Sequence, residues 1–132
     1  MNKVVEALKA VGVFYVATVD GDIPRVRPFS SVTEYEGHVY LCCGNFKEVY
    51  RQLSANPQVE LCGMYAGGTE WLRVSAMAVE DDRIEVQRAM LDDPTGPAQL
   101  YEAGDGRFVT YRLQAVHAVR YSFFAPPQNI EE

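Results

Sequence analysis

The chain is short of positive charge. Its 132 residues carry 12 lysines and arginines against 18 aspartates and glutamates, a net charge of −6. Nucleic acids and anionic membranes are usually bound by basic patches, so this balance argues against both as partners. No segment approaches the ~20 apolar residues of a membrane span, and the N-terminus lacks the apolar core of a signal peptide. We therefore expect a cytoplasmic protein that binds neither nucleic acid nor membrane.

Cysteine and histidine are also scarce. The three cysteines are odd in number and none has Cys-x-x-Cys spacing, which predicts neither a disulfide framework nor a metal site. The adjacent Cys42 and Cys43 are most simply small buried hydrophobes. His38 and His117 have no partner at metal-ligand spacing, so we expect partly exposed strand residues and no metal. No P-loop, dinucleotide-binding glycine motif or catalytic triad is present, so a bound cofactor would have to carry any chemistry.

The sequence does contain a regular series of short strands. Apolar residues at helical spacing predict a first helix that ends near Gly12, and turn signals such as Asp20-Gly21 and Glu36-Gly37 divide the β-rich segments that follow. The strands are predicted at residues 13–19, 24–32, 38–43, 59–65, 70–80, 108–113 and 116–124, with helices at 46–54 and 83–91.

This pattern predicts a mainly β (α+β) fold. Six to seven antiparallel strands linked mostly by hairpins, with two or three flanking helices, favour a small barrel, because closure removes exposed strand edges. One domain would cover residues 1–125, and residues 126–132 would form a loose C-terminal tail.

A candidate anion site lies in the middle of this series. Arg25 and Arg27 lie on one strand, and after the next strand Asn45 and the glutamate three residues later form the pattern of a capping box. Lys47 would then lie in the first helical turn, where the helix dipole disfavours a cation. A bound phosphate would remove this conflict, since amide donors, lysine and the two arginines would all face it. The alternative is that the three cations are solvated surface charges.

Four segments follow one another in a characteristic order. They are Gly21-Asp22-Ile23-Pro24-Arg25-Val26-Arg27-Pro28-Phe29, then Val39-Tyr40-Leu41-Cys42 with Asn45-Phe46-Lys47, then Asn56-Pro57-Gln58-Val59-Glu60-Leu61, and Trp71-Leu72-Arg73-Val74-Ser75. Their order and spacing resemble those of the pyridoxamine 5′-phosphate oxidase-like family of FMN-binding split barrels. The resemblance implies a split barrel that binds FMN and forms a homodimer with flavin sites at its interface.

The same resemblance implies which residues bind the cofactor. Arg27 and Lys47 would bind the flavin phosphate, which Asn45 would help to cap. The isoalloxazine edge would be contacted by Pro28, Phe29 and Ser30. The site beneath the ring would be lined by Leu41, Cys42 and Cys43. The fifth strand would contribute Trp71 and Arg73. Three alternatives stay open: Trp71 as a core or interface residue, Arg73 as the partner of an interface carboxylate, and Phe29 as a core residue.

The resemblance also implies a flavin-dependent oxidoreductase with an unidentified substrate and a small-molecule electron donor or acceptor. True pyridoxamine phosphate oxidases carry a C-terminal Arg-x-His motif that binds pyridoxal phosphate. This sequence ends at Glu132 without that motif, so vitamin B6 oxidation is not expected. Three alternatives remain: a non-catalytic module that stores or senses flavin, a split barrel that binds F420 or haem, and a domain that acts only by dimerisation.

Overall fold

A computed structural model describes residues 2–131, which form three helices and one antiparallel sheet. In chain order the elements are α1 (Lys3–Val11), β1 (Phe14–Asp20), β2 (Ile23–Phe29), β3 (Thr33–Tyr35), β4 (His38–Gly44), α2 (Glu48–Ala55), β5 (Gln58–Met64), β6 (Glu70–Glu80), α3 (Ile84–Asp92), β7 (Phe108–Ser122) and β8 (Gln128–Asn129). The strand order is β2-β1-β5-β6-β7-β4-β3, with β8 paired to β7. The predicted mainly β, antiparallel barrel with flanking helices is confirmed.

The core lies on the inner face of this sheet. Burial alternates along all of β5, where Val59 and Leu61 point inward and the residues between them are exposed, as expected for a strand with one wet face. Helix α1 adds Val5 and Leu8 to the same core. The Asn2 side chain caps α1 by accepting hydrogen bonds from the backbone N–H groups of its second and third residues.

The predicted strand at residues 24–32 is wrong in its last three residues. β2 ends at Phe29 and pairs with β1, whereas β3 begins at Thr33 and pairs with β4 across the Glu36-Gly37 turn. Between them, the Ser31 hydroxyl donates to the Thr95 carbonyl at 2.6 Å, and the Val32 N–H donates to the Thr95 hydroxyl at 3.0 Å. The chain therefore leaves the sheet here, and β2 and β3 lie at its opposite ends.

The C-terminal segment also differs from the prediction. The expected strands at 108–113 and 116–124 are one continuous strand, β7, which bends at a bulge opposite residues Ser75–Met77. Ala115 lies in this bulge with φ +52°, the left-handed region. The expected loose tail includes β8, which pairs with Val119 and Arg120, while Glu132 lies outside the described residues. Among the described residues, no helix is long and apolar enough to cross a membrane.

Replacing Ala115 with glycine tests the strain in this bulge. We expect Ala115→Gly to raise the free energy of unfolding by about 0.5 kcal/mol, because relief of ~1–2 kcal/mol of left-handed strain exceeds the ~0.5–1 kcal/mol entropic cost of glycine. The measurement is urea denaturation followed by circular dichroism. Ala118→Gly is the matched control on the same strand, at a buried position without positive φ. There we expect a loss of about 1–2 kcal/mol from the missing methyl group and the added flexibility. Equal destabilisation by both changes would contradict the strain argument.

Candidate functional site

A cleft of about 240 Å³ opens between the end of β2 and the end of β4. The start of α2 and the loop that follows α3 complete its walls. It is lined by Arg27, Pro28, Phe29, Ser30, Ser31, Cys42, Cys43, Gly44, Lys47, Val49, Pro97 and Tyr101. Most of the predicted cofactor contacts on β2 and β4, and Lys47, are therefore brought together in one place.

Arg27 supplies a positive charge to the cleft wall. Alternation along β2 turns its side chain inward, where Nη1 donates to the Val16 carbonyl at 3.1 Å and to Thr18 Oγ1 at 2.7 Å. Nη2 donates to Gln52 Oε1 at 2.5 Å. All three acceptors are uncharged, and no carboxylate in residues 2–131 pairs with this arginine. Burial lowers the pKa of the guanidinium from its usual value, which reflects the cost of holding an unpaired charge here.

The predicted capping box at the start of α2 is wrong. Helix α2 begins at Glu48, with Lys47 as the N-cap residue and no side-chain cap bond. Asn45 instead forms hydrogen bonds with the loop that precedes β7. Its side-chain amide donates to the Gly106 carbonyl at 2.9 Å, and its backbone N–H donates to the Arg107 carbonyl at 2.8 Å. The Glu48 carboxylate accepts from the Arg51 guanidinium. A turn from Gly44 to Lys47 delays the helix, so the predicted start at residue 46 is too early.

Lys47 nevertheless remains a free cation at the edge of the cleft. Its side chain is exposed and makes no ion pair within the described chain, and Nζ lies 5.5 Å from the centroid of the Phe46 ring. Because Lys47 is the N-cap, the first amide groups of α2 follow it directly. Lysine, helix N-terminus and Arg27 therefore present positive charge to one cleft, the arrangement that favours a phosphate group.

The two cysteines form an unreactive part of the wall. Burial raises the pKa of Cys42 to about 12 and that of Cys43 to about 11, from an ordinary value of 9.0. Cys43 Sγ lies 3.9 Å from the Tyr111 hydroxyl, which shares its buried surroundings. Because thiolates are the reactive form, both side chains act at neutral pH as small apolar groups and not as nucleophiles.

Several lining residues were missed by sequence analysis. Val49 lies in the first turn of α2, whereas Pro97 and Tyr101 come from the loop after α3, for which no local pattern indicates a place beside β4. Tyr101 lies so close to Gly44 that an added Cβ would stand 2.5 Å from its hydroxyl oxygen. The absence of a side chain at Gly44 therefore leaves room for the Tyr101 ring at the end of β4.

Besides Asn45, three predicted contacts do not line the cleft of their own chain. Leu41 is buried in the main core. Trp71 stacks on Tyr121 with ring centroids 5.5 Å apart, and Arg73 Nη2 donates to the Tyr121 hydroxyl at 2.9 Å. Trp71 and Arg73 lie on the outer face of β6, beside β5 and β7. As predicted, alternation places both on the same face.

Exposed apolar side chains also lie on the outer face that carries Trp71 and Arg73. Tyr15 is 52% exposed on β1, Val26 is 67% exposed on β2 and Met64 is 47% exposed on β5. Strand register places Val26 beside Ala17 and Met64 beside Trp71, so these residues share one side of the sheet. We call Tyr15, Val26, Met64 and Trp71 the outer apolar face. Exposed apolar residues that share one face are a common feature of interaction sites.

The histidines lie away from the cleft. His38 is exposed at the start of β4, and His117 Nδ1 lies 2.7 Å from a Glu131 carboxylate oxygen on the surface. Within residues 2–131, no group of three or more histidine, cysteine, aspartate or glutamate side chains is arranged to hold a metal ion.

Comparison with known proteins gives a family match and structural neighbours. Residues 1–118 match the family model described as pyridoxamine 5′-phosphate oxidase. A NimC/NimA family protein from Clostridium acetobutylicum is 37% identical, with a TM-score of 0.91 over 96% of this chain and 88% of that one. No curated protein matches the chain.

Two more distant structures share the fold alone. A pyridoxamine 5′-phosphate oxidase-related, FMN-binding protein from Nostoc punctiforme PCC 73102 is 16% identical, with a TM-score of 0.64 over 94% of this chain and 82% of that one. A haem-binding protein from Mycobacterium smegmatis is 15% identical, with a TM-score of 0.72 over 95% of this chain and 56% of that one.

Proposed function

Because the chain belongs to the pyridoxamine 5′-phosphate oxidase family, we propose that its cleft binds FMN with the flavin phosphate between Arg27 and Lys47. The observation that carries the proposal is the Arg27 guanidinium, which is partly buried and surrounded only by uncharged acceptors. Burying an unpaired charge is costly unless a ligand compensates it. A phosphate group carries about −1.5 to −2 charges at neutral pH and supplies that compensation.

The remaining donors of Arg27 suit this ligand. A guanidinium has five N–H groups, and the three hydrogen bonds to Val16, Thr18 and Gln52 leave Nε–H and one Nη2–H without an acceptor in the described chain. These two groups are parallel, the geometry in which arginine binds phosphate through two hydrogen bonds. Lys47 adds a second, exposed charge.

The rest of the cleft suits a flat, largely apolar ring. Pro28, Phe29 and the protonated thiols of Cys42 and Cys43 offer apolar surface, and Tyr101 closes one side. When bound, a flavin supplies hydride and single-electron chemistry, so the protein needs only to bind it, orient it and limit its contact with water. In this proposal the phosphate lies at the charged end of the cleft and the ring lies along β2 and β4.

A second copy of the chain is part of the proposal. The cleft volume of about 240 Å³ falls below the roughly 300–1,000 Å³ of complete cofactor pockets, so one chain provides too few walls. The outer apolar face would be covered in a homodimer, and Trp71 and Arg73 would then contribute to the site of the partner subunit. This arrangement accounts for their distance from the cleft of their own chain.

The proposed activity is that of a flavin-dependent oxidoreductase of unidentified substrate. A non-catalytic flavin-storing or sensing module is the alternative, and anaerobic addition of NADH or NADPH separates the two, since only an enzyme that accepts electrons from them would lose its flavin absorbance. Haem has little support, because neither histidine lines the cleft. F420 would be distinguished by its own absorbance in a parallel titration.

The experiment that tests FMN binding is a titration of the purified protein with FMN, followed by visible absorbance and flavin fluorescence. We expect a shifted absorption band and quenched fluorescence at micromolar FMN. Absence of binding by an intact, folded protein would overturn the proposal and favour F420, haem or a domain that acts only by dimerisation.

Removing the charge of Lys47 tests the placement of the phosphate. We expect Lys47→Met to weaken FMN binding by about 1.5–3 kcal/mol, the contribution of a charge-assisted hydrogen bond. Isothermal titration calorimetry measures the change. Arg88→Met on the exposed side of α3 removes an equal charge outside the cleft and serves as the control. If Lys47→Met leaves the affinity unchanged, the phosphate binds elsewhere.

A charge in the outer apolar face tests the homodimer. We expect Val26→Glu to convert a dimer to monomers in analytical ultracentrifugation, because an unpaired carboxylate is too costly to bury in the interface. Leu100→Glu, at an equally exposed apolar residue in the loop after α3, controls for the added charge and should remain dimeric. A dimer that survives Val26→Glu would place the interface on another surface.

A further inference from the structure

Two buried polar side chains form hydrogen bonds with Arg27. Thr18 on β1 is 2% exposed and Gln52 on α2 is 3% exposed. The Thr18 hydroxyl donates to Gln52 Oε1 at 2.5 Å and accepts from Arg27 Nη1 at 2.7 Å. Gln52 Oε1 also accepts from Arg27 Nη2 at 2.5 Å. The three side chains therefore form a closed ring of hydrogen bonds beneath the cleft.

The chemistry of the groups fixes the direction of every bond in this ring. Arginine can only donate, so the Thr18 oxygen must accept from it and the single hydroxyl proton must go to Gln52. The amide of Gln52 must then present its oxygen to both donors, because its NH₂ group cannot accept. The ring has one arrangement, which holds the Arg27 guanidinium in one orientation.

The ring also leaves the charge of Arg27 unneutralised. Several other arginines pair with carboxylates, as Arg25 does with Asp20 and Arg51 does with Asp20 and Glu48. A glutamate at position 52 would occupy nearly the same volume as glutamine and would form such a pair with Arg27. An uncharged acceptor instead positions the guanidinium without competing with an anionic ligand.

We propose that Gln52 and Thr18 make the cleft specific for phosphorylated flavin, by orienting the two unused N–H groups of Arg27 toward the phosphate and by leaving its charge for that group. They act through Arg27 and are positioning residues. The inference rests on the proposed FMN site and adds a specificity: FMN binds much more tightly than riboflavin, which has the same ring and no phosphate.

The test compares FMN with riboflavin in matched variants. Gln52→Glu neutralises Arg27, and Thr18→Val removes the hydroxyl while keeping a β-branched side chain in β1. Gln87→Glu is the control, since Gln87 is another buried helical glutamine, 4% exposed, whose amide donates to the Phe108 carbonyl outside the cleft. Dissociation constants for both flavins come from fluorescence quenching, and inorganic phosphate is titrated alone by its effect on the melting temperature.

We expect Gln52→Glu to weaken FMN binding by about 10- to 100-fold, the range for a charge-assisted hydrogen bond and its Coulomb attraction, with riboflavin affinity within about twofold of the original. Thr18→Val should weaken FMN binding by about 3- to 10-fold in the same selective way, because one of the bonds that orient Arg27 is lost. Both variants should also lose the stabilisation by inorganic phosphate. Gln87→Glu should leave the ratio of the two affinities unchanged.

The outcomes separate this inference from the one on which it rests. If the unmodified protein binds FMN and both variants weaken the two flavins equally, Gln52 and Thr18 have only a structural role and the inference fails while the FMN site stands. Equal affinity of the unmodified protein for FMN and riboflavin would also overturn it. If the unmodified protein binds no flavin, the proposed function fails as well. If Gln52→Glu does not fold, the ratio of FMN affinity to riboflavin affinity is measured in Thr18→Val and in the milder Gln52→Met. An unchanged ratio in both of these variants would overturn the inference.

Discussion

The site depends on a break in the hydrogen-bonded sheet between β2 and β3. If residues 24–32 had formed one strand, β2 would have continued into the strand that pairs with β4. No gap would then separate β2 from β4. Instead the Val32 N–H donates to the Thr95 hydroxyl and the Ser31 hydroxyl donates to the Thr95 carbonyl, in the loop after α3. The buried N–H group of Val32 is thereby satisfied outside the sheet. The chain therefore leaves the sheet after β2, and the cleft lies between the end of β2 and the end of β4.

The charges of the residues around the cleft then determine which ligands it favours. The chain is acidic overall, and Arg83, like Arg51, is matched with carboxylates, here Glu36 and Asp81. Hydrogen bonding to Arg83 lowers the pKa of Asp81 to about 2, which shows how strongly such a pair is satisfied. Arg27 has no such partner and Lys47 has none either within the described chain. The local field of the cleft is therefore opposite in sign to the charge of the whole protein, which favours a small anion over a polyanionic surface.

The sequence predicts those elements whose bounds depend on neighbouring residues, and it fails where the structure depends on distant contacts or uncommon backbone conformations. The bounds of β6 were predicted correctly as Glu70–Glu80, because alternation and turn residues are local. The break after Phe29 could not be predicted, since it depends on contacts with Thr95, more than 60 residues later in the chain. The continuity of β7 was missed because Ala115 adopts a left-handed conformation that alanine rarely adopts. A distant contact thus overrode the local preference after Phe29, and an uncommon backbone conformation overrode it at Ala115.

The residues of the candidate site also divide into those that the sequence predicts and those that it does not. Position along a strand was enough to select Arg27, but its partners Thr18 and Gln52 come from β1 and α2, and nothing local indicates that they meet it. Tyr101 was missed for the same reason. The resemblance to a family selected Trp71, which the structure places on the outer apolar face and not in the cleft. In the proposed homodimer, Trp71 would reach the cleft of the partner subunit. The same contact would cover the outer apolar face, so one interface would account both for the position of Trp71 and for the exposed apolar residues around it.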